Sequence, residues 1–109
     1  MLSFSLVFNN TKQSDIKRKS EQFFNMKYYK NNGILDAFQF DKNLSVTLYN
    51  CNLHFSIITK EEIEVRRTLD NILTFILKFF SNKTVGVHYY QNDFNIKLER
   101  KNGLKLIDF

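Results

Sequence analysis

The sequence predicts an α+β domain: an antiparallel sheet of about six strands with two helices packed on one face. Segments of alternating polarity, typical of strands, are interleaved with two segments of helical period. The connections are short and rich in Asn, which suits turns. With 109 residues, 43% of them hydrophobic, and a single cysteine, the chain can bury one core without disulfides. We expect one domain over residues 1–109, ordered β-α-β-β(-β)-α-β-β-β.

The first unit is a strand, a helix and a turn. Leu2 to Phe8 alternates in polarity, and Asn9-Asn10-Thr11 then supplies turn and N-cap residues. The helix that follows is expected to bury Ile16 and Phe23 on one side. We expect it to end at Asn31-Asn32-Gly33, where Gly33 can adopt a left-handed conformation.

An antiparallel hairpin follows, with one arm at Ile34 to Phe40 and the other at Leu44 to Tyr49. Beyond Tyr49 the parity of the apolar residues changes, because Leu53, Phe55 and Ile57 occupy odd positions while the preceding apolar residues occupy even ones. Side chains alternate strictly along an unbroken strand. The sequence therefore predicts a bulge or a tight turn at Asn50-Cys51-Asn52.

The second helix is predicted over Lys60 to Ser81 from its apolar repeat at intervals of three and four residues. Thr59 and Glu62 have the spacing of a capping box at its start. Phe75 and Leu77 lie outside the main apolar stripe. Two explanations are open: the first helix covers these residues, or they form a self-association or partner face.

A final hairpin is predicted from Asn102-Gly103, which favours a two-residue turn between two strands. That turn would place Leu98 opposite Ile107 on the core side and Lys97 opposite Asp108 on the outer side. Leu104 and Leu106 would then also lie on the outer side. Exposed leucines on an edge strand favour pairing with another chain, so we expect a partner surface here.

The sequence contains no phosphate-binding glycine run and no cysteine or histidine spacing typical of zinc sites, so we predict no cofactor, metal or catalytic site. Cys51 is expected to be a structural thiol. One catalytic alternative remains: His54 and His88, with Lys97 or Arg100, could perform the acid–base chemistry of a small ribonuclease.

The net charge of +5 permits a nucleic-acid partner. It is distributed as +4 over residues 1–30, −3 over 31–65 and +4 over 66–109. Aromatic and basic residues adjoin at Tyr28-Tyr29-Lys30 and His88-Tyr89-Tyr90, as base stacking requires. A basic nucleic-acid-binding protein is therefore the main alternative function.

The absence of a catalytic motif favours a small non-enzymatic protein-binding module. In physical character the whole chain resembles the immunity proteins of bacterial toxin systems and small phage or plasmid inhibitors, but no specific motif carries the resemblance. We expect a cytoplasmic protein without a membrane segment that acts by steric occlusion, and a homodimer through the second helix or last hairpin is also considered. The candidate contact residues are Tyr89, Tyr90, Arg100, Leu104, Leu106, Glu61, Glu62 and Glu64.

Overall fold

The computed structural model describes residues 1–24, 27–31, 35–39, 44–80, 85–100 and 103–109, which include two helices and eight strands. The strands are β1 (Leu2–Phe8), β2 (Lys27–Asn31), β3 (Leu35–Gln39), β4 (Leu44–Tyr49), β5 (Asn52–Ile57), β6 (Val85–Asn92), β7 (Ile96–Arg100) and β8 (Leu104–Asp108). The helices are α1 (Gln13–Phe24) and α2 (Glu62–Phe79). The predicted α+β class is confirmed, with one more strand between the helices than expected.

Six strands form one antiparallel sheet in the order β2-β3-β4-β5-β1-β6. β1 lies between β5 and β6, so that Ser5 is paired with His54 on one side and with His88 on the other. The sheet has the predicted size but a different membership. β2 belongs to it, whereas β7 and β8 pair only with each other in a separate two-stranded sheet.

The core lies between the helices and one face of the six-stranded sheet. The alternation of β1 places Leu2, Phe4 and Leu6 on this face, and all three are fully buried. α2 contributes an apolar stripe of the predicted period, and α1 contributes Ile16. Within the described ranges, neither helix is both long enough and apolar enough to cross a bilayer.

The first helix is shorter than predicted. α1 ends at Phe24, and β2 begins at Lys27 and pairs with β3. Tyr28 and Tyr29, which the prediction placed in the helix, therefore lie in a strand. Tyrosine favours strands, and pairing with β3 supplies hydrogen bonds that one more helical turn would not. The predicted stop at residues 32–33 lies outside the described residues.

The parity change after β4 arises from a tight turn. Tyr49 pairs with Asn52, so only Asn50 and Cys51 connect β4 to β5. Asn50 has a φ of 53°, a left-handed conformation that Asn tolerates better than most residues. The Cys51 thiol donates a hydrogen bond to the Thr11 carbonyl over 3.2 Å. This contact ties the turn to the segment before α1.

The start of α2 differs from the predicted capping box. Thr59 does not cap the helix with Glu62; its hydroxyl donates to the Glu64 carboxylate over 2.8 Å and accepts from the Glu61 backbone N–H over 3.2 Å. Farther along, Phe75 is fully buried and its ring lies 5.3 Å from that of Phe23 on α1. Phe75 is therefore a core residue, as the first of the two explanations requires, whereas Leu77 is 52% exposed and is not covered.

The register of the last hairpin was predicted incorrectly. Arg100 pairs with Leu104, so three residues (101–103) form the connection, and Gly103 has a φ of 110°. A one-residue shift of register moves every side chain of one strand to the other face. Leu104 is consequently buried, and Leu106 is half-buried against the core. The expected outer leucine surface is absent.

The predicted pair of Lys97 with Asp108 is also lost in this register. Lys97 lies opposite Ile107, with its ammonium 4.8 Å from the centre of the Phe109 ring. The Asp108 carboxylate instead accepts from the Arg66 guanidinium on α2. This contact links the hairpin to the helix.

Side chains join the hairpin to the edge of the six-stranded sheet. The Tyr89 hydroxyl accepts from the Leu98 backbone N–H over 2.6 Å and donates to the Leu98 carbonyl over 2.9 Å. The Arg100 guanidinium donates to the Val85 carbonyl. These side chains thus satisfy three backbone groups of β6 and β7 without a ladder, the Leu98 N–H and the Leu98 and Val85 carbonyls, and so reduce the tendency of these edges to pair with other chains.

Candidate functional site

The sheet face opposite the helices carries the most distinctive surface of the molecule. The strand alternation that buries apolar residues places polar and aromatic residues here. Twelve residues of this face lie on the four strands β4, β5, β1 and β6 and are hereafter the open face: Ser3, Ser5, Val7, Ser45, Thr47, Tyr49, Asn52, His54, Ser56, Gly86, His88 and Tyr90. None of these twelve is Lys, Arg, Asp or Glu. The register continues the same side of the sheet to Gln91 on β6 and to Lys27 and Lys30 on the edge strand β2.

One row of four side chains crosses the centre of the open face. Thr47 pairs with His54, His54 with Ser5, and Ser5 with His88. Adjacent strands are about 4.8 Å apart, so the backbones of the two histidines are separated by roughly 10 Å. The structure thus brings both imidazoles to one face, which the sequence could not establish.

A β-bulge positions Tyr90 between the two imidazoles. Phe4 pairs with Tyr89 and Ser3 with Gln91, which leaves Tyr90 as the extra residue on β6. The Tyr90 ring lies 5.3 Å from the His54 ring and 4.8 Å from the His88 ring, both at steep angles. Tyr90 is nevertheless 63% exposed, so most of its ring is open to solvent or a partner.

Hydroxyl groups fix the His54 ring. Ser5 Oγ lies 3.1 Å from Nδ1, while Ser3 and Ser56 Oγ lie 3.2 and 3.4 Å from Nε2. A neutral imidazole has one donor and one acceptor nitrogen. Because a hydroxyl can donate or accept, these serines can bond to both nitrogens. Partial burial lowers the pKa of His54 below its ordinary value of 6.5. Burial therefore favours the neutral form of the ring.

A depression lies beside this ring. It has a volume of about 390 Å³ and is lined by Ser5, Thr47, Tyr49, Asn52, His54 and Tyr90. Tyr49 is 42% exposed, so two tyrosines present open ring surface here. The depression thus combines aromatic rings with uncharged hydrogen-bonding groups.

The Ser–His contacts meet only part of what nucleophilic catalysis needs. His54 is oriented and neutral, so it could accept a proton from Ser5. However, β1 is paired on both sides, which commits its backbone N–H groups to the ladders and leaves no backbone oxyanion hole near Ser5. Among the described residues, no group of three or more His, Cys, Asp or Glu could hold a metal ion.

The ribonuclease hypothesis also called for a cation near the imidazoles. Lys97 and Arg100 instead line a separate groove with Val87 and Tyr89. Those two β6 side chains alternate with His88 and so belong to its opposite face. The structure therefore assembles the two histidines but places both predicted cations elsewhere. The hypothesis remains an untested alternative.

The predicted contact residues are spread over several parts of the molecule. Tyr90 lies on the open face, whereas Tyr89 faces the hairpin, where burial raises the pKa of its hydroxyl. Arg100 donates to a backbone carbonyl at the sheet edge. Leu104 and Leu106 pack on the core. Only Tyr90 of these five is available on the open face.

The acidic candidates lie at the start of α2. Glu61 and Glu62 are exposed, while Glu64 accepts from Thr59. Because α2 packs on the opposite side of the sheet, these carboxylates do not join the open face. Negative charge in the first turn of a helix is favourable in itself, which accounts for their position.

The sequence analysis missed the serines around His54. The alternation of Leu2 to Phe8 places Ser3 and Ser5 on the side away from the apolar residues, so the sequence does indicate the face on which they lie. Their contact with His54 depends on β1 lying next to β5, which is far from it in sequence. No local pattern specifies that neighbour.

Comparisons of the chain with known protein families, curated proteins and solved structures gave no match. A fold of this class supports many unrelated functions. The function of this chain must therefore be inferred from the chemistry of its own surfaces.

Proposed function

We propose that this chain is a small non-enzymatic binding protein whose open face covers a surface of another protein. The observation that carries the proposal is the composition of that face on β4, β5, β1 and β6: chiefly serine, threonine, asparagine, histidine and tyrosine, without a charged side chain among the twelve residues. Tyrosine, serine and asparagine are the residues that antibody paratopes favour.

The energetics of association favour such a face. A charged group buried at an interface loses hydration and must find an opposite charge on the partner. Hydroxyl and amide groups lose less hydration free energy on burial and can form hydrogen bonds in many directions. Tyr49 and Tyr90 add large contact area at low cost in conformational entropy. The rigid six-stranded sheet holds these groups in place before binding, which lowers the entropy cost further.

The same composition argues against nucleic acid on this face. Binding to nucleic acid depends on Lys and Arg neutralising phosphates. The twelve residues of the open face include neither, and the basic residues in register with them, Lys27 and Lys30, lie on the edge strand β2. Two basic residues of the helices, Lys19 on α1 and Arg66 on α2, also have contacts within the chain. Lys19 donates to the Phe79 carbonyl over 3.1 Å, and Arg66 pairs with Asp108.

The biological form we propose is an immunity-type or phage- or plasmid-encoded inhibitor that neutralises its partner by steric occlusion. Such a role needs affinity and coverage but no reactive group. A rigid, uncharged face suits it, because occlusion requires only that the face stay bound.

Site-specific photo-cross-linking tests this proposal. A photoreactive phenylalanine analogue replaces Tyr90 in the open face and, as the matched control, Ile63, which is 65% exposed on α2. In cells of the source organism we expect a discrete protein adduct from position 90 and none from position 63. The purified partner should then bind the chain directly, and Tyr90→Ala should weaken binding by about tenfold or more.

Two outcomes would contradict the proposal. One is equal adducts from both positions, which would mean that the open face is not selected. The other is an adduct with nucleic acid whose affinity falls steeply with salt. That result would favour the basic nucleic-acid-binding alternative.

A further inference from the structure

The depression on the open face has a chemistry more specific than the face around it. Tyr49 and Tyr90 supply aromatic surface, while Ser5, Thr47, Asn52 and His54 supply hydrogen-bonding groups. Its volume of about 390 Å³ lies within the range of pockets that bury a ligand group of the size of a large side chain.

The occupant should be uncharged. No lining residue carries a carboxylate, ammonium or guanidinium, and serine hydroxyls lie within hydrogen-bonding distance of both ring nitrogens of His54. A lysine, arginine, aspartate or glutamate entering this space would lose hydration without gaining an opposite charge, which costs several kcal/mol.

The occupant should also be aromatic and carry a polar group. Exposed tyrosine rings favour another ring by offset or edge-to-face contact. A purely apolar occupant would cover the Asn52 amide and the Thr47 hydroxyl without replacing their bonds to water, which is unfavourable. Tyrosine and tryptophan meet both requirements, and both are common interface anchors.

We propose that this depression receives a tyrosine or tryptophan side chain from the partner protein and is the energetic centre of the interface. This inference rests on the proposed function, since it assumes a protein partner. It adds the chemistry of the group by which that partner is recognised.

Fragment titration of the full chain tests the inference without the partner. The probes are N-acetyltryptophanamide and N-acetyltyrosinamide, with N-acetylargininamide, N-acetylaspartate amide and uridine as comparisons, followed by the backbone amide resonances in NMR. We expect saturable shifts centred on Asn52, His54 and Tyr90 for the aromatic amides, with dissociation constants on the order of millimolar. The charged amides should give none, and uridine should bind more weakly than the aromatic amides.

Variants locate the site. Tyr90→Ala should weaken binding of the aromatic amides at least fivefold, and Tyr49→Ala provides a second test should Tyr90→Ala fail to fold. Ile63→Ala, an exposed position on α2, should leave binding unchanged. Retained amide spectra in each variant establish that the fold persists.

The two proposals can fail separately. Absence of shifts with either aromatic amide, or stronger binding of argininamide or uridine, would overturn the inference about the occupant. If cross-linking at position 90 nonetheless identifies a protein, the open face still serves as an interface. If the aromatic amides bind but no protein is captured, the depression is a ring-binding site and the protein-binding function is wrong.

Discussion

Replacing Tyr89 with phenylalanine should destabilise the protein through one oxygen atom. The hydroxyl makes two hydrogen bonds, to the N–H and the carbonyl of Leu98, over 2.6 and 2.9 Å. Leu98 is fully buried. Tyr89→Phe keeps the aromatic ring, which lies 5.3 Å from that of Phe4, and removes only the bridging group between β6 and β7.

The expected loss is about 2–3 kcal/mol in the free energy of unfolding. Each hydrogen bond contributes roughly 1 kcal/mol net, and a buried group left without a partner costs about 1–3 kcal/mol. The N–H and the carbonyl of Leu98 would both be left without a partner, and water entering the site would reduce this loss of stability. For a domain of this size the loss corresponds to a decrease in Tm of roughly 10–15 °C.

Urea denaturation of Tyr89→Phe and Tyr90→Phe gives a matched comparison. The neighbouring Tyr90 is 63% exposed, so loss of its hydroxyl should change stability by less than about 0.5 kcal/mol. Hydrogen exchange adds a local readout, because the Leu98 amide should exchange faster in Tyr89→Phe alone. Equal stability of the two variants, or an unchanged Leu98 amide, would refute the bridging role.

Three further predictions concern other parts of the fold. Ser20→Ala should raise the free energy of unfolding by about 1 kcal/mol in urea denaturation, because the fully buried Ser20 hydroxyl has no partner among the described residues; a decrease would show that it has one. Gly103→Ala should lower the free energy of unfolding by more than about 1 kcal/mol, because Gly103 has a φ of 110°. Gly86→Ala should lower it by less, because the new Cβ would lie 4.0 Å from the Val7 Cβ. Equal losses of stability in urea denaturation would contradict this difference. The free energy of unfolding should decrease as the pH drops below 6.5, because His54 in the unfolded chain is protonated at a higher pH than His54 in the folded chain. If a His54→Asn variant shows the same dependence of the free energy of unfolding on pH between pH 7 and 5, His54 is not the cause.

Local periodicity was sufficient to predict most elements of the fold. α2 was predicted from its apolar repeat within two residues at each end, and the turn at Asn50 from a change of parity. β2 was missed because its residues continued a plausible helix. Whether they form a helix or a strand depends on pairing with β3, which is a tertiary contact that overrides local preference.

The hairpin error shows how one residue can alter a functional interpretation. Asn102-Gly103 is a strong signal for a two-residue turn, yet three residues connect Arg100 to Leu104. With the shorter turn, Leu104 and Leu106 would form an exposed apolar surface; with the observed one they pack on the core. The surface expected from the sequence was a consequence of the assumed register.

The candidate site could be predicted only in part, because its geometry depends on strand order and on a bulge. His54 alternates with Leu53 and Phe55, and His88 alternates with Val87 and Tyr89, so the sequence places both histidines away from the apolar residues of their strands, in agreement with the structure. Their common row with Ser5 requires the strand order β5-β1-β6, and the Tyr90 ring between them requires a bulge. Both are long-range features, which no single segment of sequence encodes.

The charge pattern distinguishes the open face from an ordinary solvated surface. A quarter of the chain is Asp, Glu, Lys or Arg, and solvated surfaces are at least as rich in charge. Twelve surface positions would thus be expected to include about three charged residues. The twelve residues of the open face include none, although the chain has a net charge of +5, and the lysines in register with them, Lys27 and Lys30, lie on the edge strand β2. Solubility alone would favour charge here, so the uncharged composition of these twelve positions supports the proposed protein interface.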